Sequence, residues 1–167
     1  TWPSEDADAS AVAVMERMGI AISAGPQCLR ASCRPGRLAP VSVTATDFPD
    51  AVPALAALAA LAPGRSRFEG IGHLRWKESD RIAACAALVS SVGVEAAAYP
   101  DGLDVEGPAR RPAGLARLPT FGDHRIAMAA ALLCLALPGL LLENPGCVAK
   151  SYPDFFRDLE KIVVRDA

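Results

Sequence analysis

Residues 47–64, DFPDAVPALAALAALAPG, and residues 74–93, LRWKESDRIAACAALVSSVG, decide how this chain folds. Each sets a short charged start ahead of an apolar run and closes on glycine. The pattern predicts helices over about 51–62 and 79–91. In the second, Ile82, Cys85, Leu88, Val89 and Val92 recur at spacings of three and four, which puts them on one core-facing stripe. Gly and Pro punctuation marks strands near 66–71, 94–99 and 103–106, the last two joined by a Pro100-Asp101-Gly102 turn, and a strand near 40–45 leads in. Read in order, residues 36–107 form a βαβαββ unit.

The same signs recur at a long period. Asp50 and Asp123 stand 73 residues apart and both open Ala/Leu helices, and Lys77 and Lys150 are also 73 apart. FGDHRIAMAAALLCLALPG (121–139) and CVAKSYPDFFRDLEKI (147–162) therefore predict helices near 124–137 and 152–161, with strands near 140–143 and 162–165. Because nearly every position of 124–137 is apolar, that helix is expected to be buried on all sides. At the other end, a helix near 6–18 precedes strands near 20–23 and 28–33. The expected class is α/β (α+β), built from pseudo-symmetric βαβαββ repeats: the end of one unit over about 1–35, a full unit over 36–107 and most of another over 108–167. Helices inside a ring of strands would bring their charged N-termini to one face.

Composition narrows the function. Hydrophobic residues are 51% and charged residues 22% of 167, a globular balance. A net charge of −2 with scattered arginines lacks the basic patch of a nucleic-acid binder. The longest apolar stretch, 126–142, is broken by Pro138 and Gly139 and falls short of the roughly 20 residues of a membrane span. Five cysteines without a CxxC pair read as reduced thiols in a cytoplasm rather than a disulfide framework or zinc site. The polar opening TWPSEDADAS, without Met, gives the expectation of a chain cut from a longer one and lacking a signal peptide.

The charged starts carry the chemistry. Arg81 and Arg125 stand at helix N-termini, where the dipole disfavours cations, so an anionic ligand explains them better than stability does. Glu78 and Arg81, three apart, are expected to share a helix face. Asp50 and Asp123 each have the simpler reading of an N-cap, and His124 that of a hydrogen-bonded junction histidine. Lys150 alone reads as an exposed lysine.

Taken together, DFPDAVPALAALAA, LRWKESDR, GDHRIAMA and CVAKSYPDFF resemble the 5-enolpyruvylshikimate-3-phosphate synthases over nearly the whole chain. That family is two-lobed, each lobe a pseudo-threefold set of βαβαββ units in an inside-out α/β barrel, and the resemblance implies that this chain is a C-terminal lobe whose N-terminal lobe is absent. It implies transfer of the enolpyruvyl group of phosphoenolpyruvate to the 5-hydroxyl of shikimate 3-phosphate, with no cofactor and no metal. Asp50 matches the family's proton acceptor and Glu78 its proton donor. Arg81 and Arg125 match the arginines on the phosphoenolpyruvate carboxylate, and Lys150 the lysine at its phosphate. Asp50, Lys77 and His73 match the shikimate 3-phosphate side, His73 standing where an asparagine is common. A lobe by itself is expected to be inactive. Two other readings are a non-catalytic anion-binding module of this fold and a different enolpyruvyl transferase.

Overall fold

A computed structural model describes residues 7–25, 28–34, 36–110 and 112–162. Of the strand expected near 162–165, residue 162 is helical and residues 163–165 lie outside the described residues. Helix α1 (Ala7–Arg17) leads into an antiparallel hairpin of β1 (Ala21–Ala24) and β2 (Leu29–Ser32), with Ala21 opposite Ser32. Next come β3 (Ser42–Thr44), α2 (Val52–Leu61), β4 (Gly64–Glu69), α3 (Arg81–Ser90), β5 (Glu95–Tyr99) and β6 (Gly102–Gly107). They form one sheet of order β3-β4-β6-β5, with β3 parallel to β4 and the other pairs antiparallel. The last group is β7 (Ala116–Leu118), α4 (His124–Ala136), β8 (Leu140–Leu142) and α5 (Phe155–Ile162), with β7 parallel to β8. Single 3₁₀ turns at Pro49–Ala51, Gly72–Trp76 and Pro145–Lys150 precede α2, α3 and α5.

Packing follows from composition. Helix α2 is the one enclosed almost all round: Val52, Pro53, Leu55, Ala56, Ala57, Ala59 and Ala60 are buried between α3, α4 and the β4 and β6 strands. Its alanines let α4 pack closely against it, and Ala127, Ala129, Ala130 and Ala131 are among the buried residues of α4. Pro63 and Gly64, at φ +104°, end α2 and turn the chain into β4. Gly107 closes β6 against the α2 C-terminus, where a Cβ would run into the carbonyl oxygen of Ala62. The expected α3 stripe of Ile82, Cys85, Leu88, Val89 and Val92 is buried throughout.

Four expectations shift. The all-round burial fails for α4: Leu135 is 49% exposed, and Met128, Leu132 and Cys134 are half-buried. Only the two-stranded β7-β8 sheet backs it, while α2 has a four-stranded sheet behind it. Strand β7 had no sequence sign, being three residues in a Pro- and Gly-rich stretch. Helix α3 starts at Arg81 rather than 79, because Asp80 caps it by accepting from the Ala83 amide at 3.1 Å. Helix α5 starts at Phe155 rather than 152, because residues 151–154, with Pro153, form the turn that follows the 3₁₀ segment ending at Lys150.

Candidate active site

The starts of α2, α3 and α4 carry one connected set of charges. Arg81, the first residue of α3, is 2% exposed and each of its three guanidinium nitrogens donates to a carboxylate. Nε reaches Asp123 Oδ2 at 2.8 Å, Nη1 reaches Asp50 Oδ1 at 2.9 Å and Nη2 reaches Glu78 Oε2 at 2.7 Å. A charge this deep persists only when its partners are placed in advance. They come from three segments: Asp50 from the turn before α2, Glu78 from the loop before α3, and Asp123 from the cap of α4.

Asp50 does not cap its helix. Neither the 3₁₀ turn nor α2 has a side-chain cap, and the carboxylate meets Arg125 Nη2 at 2.9 Å as well as Arg81, with Lys77 Nζ at 4.0 Å. Arg125 Nη1 also donates to the Asp50 carbonyl at 3.0 Å. Asp123 is a cap, accepting from the Arg125 amide at 2.9 Å, and its second oxygen takes Ser79 Oγ at 3.0 Å as well as Arg81. Lys150 ends a 3₁₀ turn instead of opening a helix, and its Nζ is 3.4 Å from Glu78 Oε1. Glu78 and Arg81 meet across a loop-to-helix corner rather than along a helix face, because α3 begins only at Arg81.

The structure therefore brings Asp50, Lys77, Glu78, Arg81, Arg125 and Lys150 into one network. His73 stays outside it, exposed on the Gly72–Trp76 turn without a side-chain hydrogen bond or ion pair among the described residues. Arg81 faces its carboxylates rather than solvent, so a ligand reaches it only by displacing one. Arg125, Lys77 and Lys150 are the accessible cations.

Protonation follows the same wiring. The Glu78 carboxyl is held below its ordinary value first by its own backbone amide, then by Arg81 and Lys150, against burial. Burial pushes Asp123 up, but the bonds from Arg81, the Arg125 amide and Ser79 outweigh it and leave the carboxyl lowered. Burial works against the Arg81 charge, and Asp123 with Glu78 more than restores it. Glu78 is thus ionised in this arrangement, and an anion that neutralised the neighbouring cations would raise its affinity for a proton.

The sequence gives no sign of Ser79, and it offers Asp123 only as a cap, though the 73-residue spacing from Asp50 marks it as that residue's counterpart. His124, expected as a hydrogen-bonded junction histidine, leaves Nδ1 without a partner among the described residues, 3.7 Å from Glu78 Oε1. The cleft of about 590 Å³ along β4, β5 and β6, lined by Arg67, Glu69, Tyr99, Asp101 and Asp104, shares no residue with the network.

With this geometry in hand, a sequence model described as EPSP synthase (3-phosphoshikimate 1-carboxyvinyltransferase) matches residues 2–159. The chain belongs to the EPSP synthase family. Two relatives named 3-phosphoshikimate 1-carboxyvinyltransferase, from Syntrophobacter fumaroxidans and Thermococcus kodakarensis, are each 39% identical, over 93% and 94% of this chain. The chain spans 36% and 38% of their lengths. Among solved structures, the enolpyruvyl transferase NikO from Streptomyces tendae aligns with a TM-score of 0.74 at 29% identity, covering 92% of this chain and 35% of that one. An EPSP synthase from Acinetobacter baumannii aligns at 0.73 and 25% identity, covering 90% and 38%. The α/β fold is that of the enolpyruvyl transferases. No helix among the described residues is long and apolar enough to cross a membrane.

Proposed function

We propose that this chain is the C-terminal lobe of a cytoplasmic 3-phosphoshikimate 1-carboxyvinyltransferase and carries its acid, its base and part of its anion clamp. The substrates are phosphoenolpyruvate and shikimate 3-phosphate, and the partner is the N-terminal lobe. One observation carries the reading: Asp50 and Glu78 are hydrogen-bonded to different nitrogens of one buried planar guanidinium, so their relative position is set before any ligand arrives.

Addition joins the 5-hydroxyl oxygen to C2 of phosphoenolpyruvate while Asp50 takes the hydroxyl proton and Glu78 delivers a proton to C3, turning the methylene into a methyl group. Elimination reverses the second transfer: Glu78 removes a methyl proton, the double bond re-forms and the C–O bond to phosphate breaks. Arg125 and Arg81 hold the carboxylate, Lys150 the phosphate and Lys77 the shikimate phosphate. His73 would join the acceptor side only with substrate present. Fixed cations offset the repulsion of two polyanions before bond formation.

Phosphate release from both substrates tests this. The chain alone is expected to give no turnover, and mixing it with the missing lobe is expected to restore it. Unchanged turnover of Glu78→Gln and Asp50→Asn in that complex would favour a binding-only module, and turnover on UDP-N-acetylglucosamine in place of shikimate 3-phosphate would reassign the acceptor.

A further inference from the structure

The loop that carries Lys77 and Glu78 has no backbone support of its own. Among the described residues, no main-chain N–H or C=O of Lys77, Glu78 or Ser79 is hydrogen-bonded to another main-chain group. Its side chains reach outward instead, Lys77 toward Asp50, Glu78 to Arg81 and Lys150, and Ser79 to Asp123. Lys77 and Lys150 are cations that an anionic substrate also attracts, so their contacts cannot hold the loop through a reaction. A loop of this kind keeps one shape only if something else offsets the entropy lost in ordering it.

Arg75, in the Gly72–Trp76 turn, is placed to do so, because its guanidinium is divided among three partners. Nη1 donates to Asp80 Oδ2 at 2.6 Å, Nε to the Pro100 carbonyl at 3.0 Å and Nη2 to the Tyr99 carbonyl. Asp80 uses its other oxygen to cap α3. The two ends of the loop are thus tied to each other and to the turn between β5 and β6. That turn has two more links to the chain ahead of the loop, from the Gly72 amide to Asp101 Oδ1 and from the Ile71 amide to the Asp101 carbonyl, and neither spans the loop. The Arg75–Asp80 pair is partly exposed, and such pairs add little stability, whereas a planar fork fixes several acceptors at once. We propose that Arg75 is a positioning residue: by bridging Asp80 and the β5–β6 turn it closes the Lys77–Ser79 loop and sets where Glu78 and Lys77 stand. This rests on the reading of Glu78 as the proton carrier and of Lys77 as the lysine on the shikimate phosphate.

Three variants separate placement from stability. Arg75→Gln removes the bridge, Asp80→Ser loses the ion pair but keeps a capping oxygen, and Asp101→Ala removes a link to the same turn that does not span the loop. In the chain labelled with ¹³C, the Glu78 carboxyl titration is followed by NMR in each, with thermal midpoints as the folding check. That carboxyl is held down first by its own backbone amide, a contact that depends on the shape of the loop, and Arg81 on α3, Lys150 on the 3₁₀ turn, and Asp123 and His124 at the start of α4 also face it. The Glu78 midpoint is expected to move up in Arg75→Gln and Asp80→Ser and to stay in Asp101→Ala. In the two-lobed enzyme the two loop variants are expected to lower kcat about tenfold or more and to raise KM for shikimate 3-phosphate, with KM for phosphoenolpyruvate within about twofold, because Arg125 and Lys150 stand on other segments. Their double variant is expected to be no worse than Arg75→Gln alone, and if Arg75→Gln does not fold, Asp80→Ser carries the same expectation. Lower thermal midpoints with kcat and the Glu78 midpoint unchanged, or an Asp101→Ala that matches Arg75→Gln in kcat, overturn the proposal. Full turnover by Glu78→Gln would instead overturn the reading of Glu78 as proton carrier, while the Glu78 midpoint in Arg75→Gln still decides whether Arg75 sets the loop.

Discussion

Two arginine–carboxylate arrangements with nearly the same bond lengths do different things here. On the solvent face of the sheet, Arg67 donates to both oxygens of Asp104 at 2.7 and 2.9 Å, and β4 and β6 set the two residues directly opposite. Arg67 is 43% exposed and the pair neutralises itself. At the helix starts, Arg81 is enclosed and divided among three carboxylates from three segments, with Arg125, Lys77 and Lys150 around the rim. The first is a cross-strand pair that closes a sheet face. The second is a framework that fixes two carboxylates and leaves three cations partly exposed, and a buried ion network of this kind is weak evidence for added stability.

The largest contrast is expected in turnover. Glu78→Gln in the two-lobed enzyme should reduce kcat by about 10²–10⁴, measured as phosphate release, while Asp104→Asn leaves it within twofold. Equal losses would mean that the two carboxylates are both structural. Next comes stability: Arg81→Met strands the fully buried Asp123 and is expected to cost about 3–5 kcal/mol in urea unfolding. Arg67→Met should cost less, because its side chain is half in water. A reversed order would break the distinction drawn between them.

A third test uses pH. Asp123 and Glu78 have lowered carboxyl pKa values, so their contribution to stability is present above the unfolded-state values near 4 and is lost as pH falls through the lower folded values. The stability gap between wild type and Asp123→Asn should therefore be widest at neutral pH and shrink in acid, followed by urea unfolding at several pH values. A gap that grows in acid would contradict the shifts. The smallest effect belongs to His73→Ala, expected within about 0.5 kcal/mol of wild type by thermal unfolding, since the ring is exposed and forms no hydrogen bond or ion pair among the described residues. Weakened shikimate 3-phosphate binding by that variant would restore the role implied by the family pattern.

Much of this was legible beforehand, for local reasons. The α3 stripe is a matter of spacing, and the helix ends at Gly19 and Gly93 are positions with φ near +93° and +76°, where glycine is favoured. Basic residues at helix starts identified Arg81 and Arg125, because dipole and charge are neighbours in sequence. The cap reading of Asp50 failed because proline and a 3₁₀ turn already start that helix, which frees the carboxylate for Arg81. The exposure of α4 could not be read from its own residues, since an apolar run does not say how wide a sheet stands behind it.

Order of elements, core stripes and the identity of the charged groups were therefore set by the amino-acid sequence alone, because each depends on neighbours within a turn or two. The sharing of one guanidinium among Asp50, Glu78 and Asp123, and the open contact of His124 with Glu78, came only with the tertiary structure. Asp50 and Asp123 lie 31 and 42 residues from Arg81, and no local pattern encodes which of several carboxylates will meet it once three helices converge.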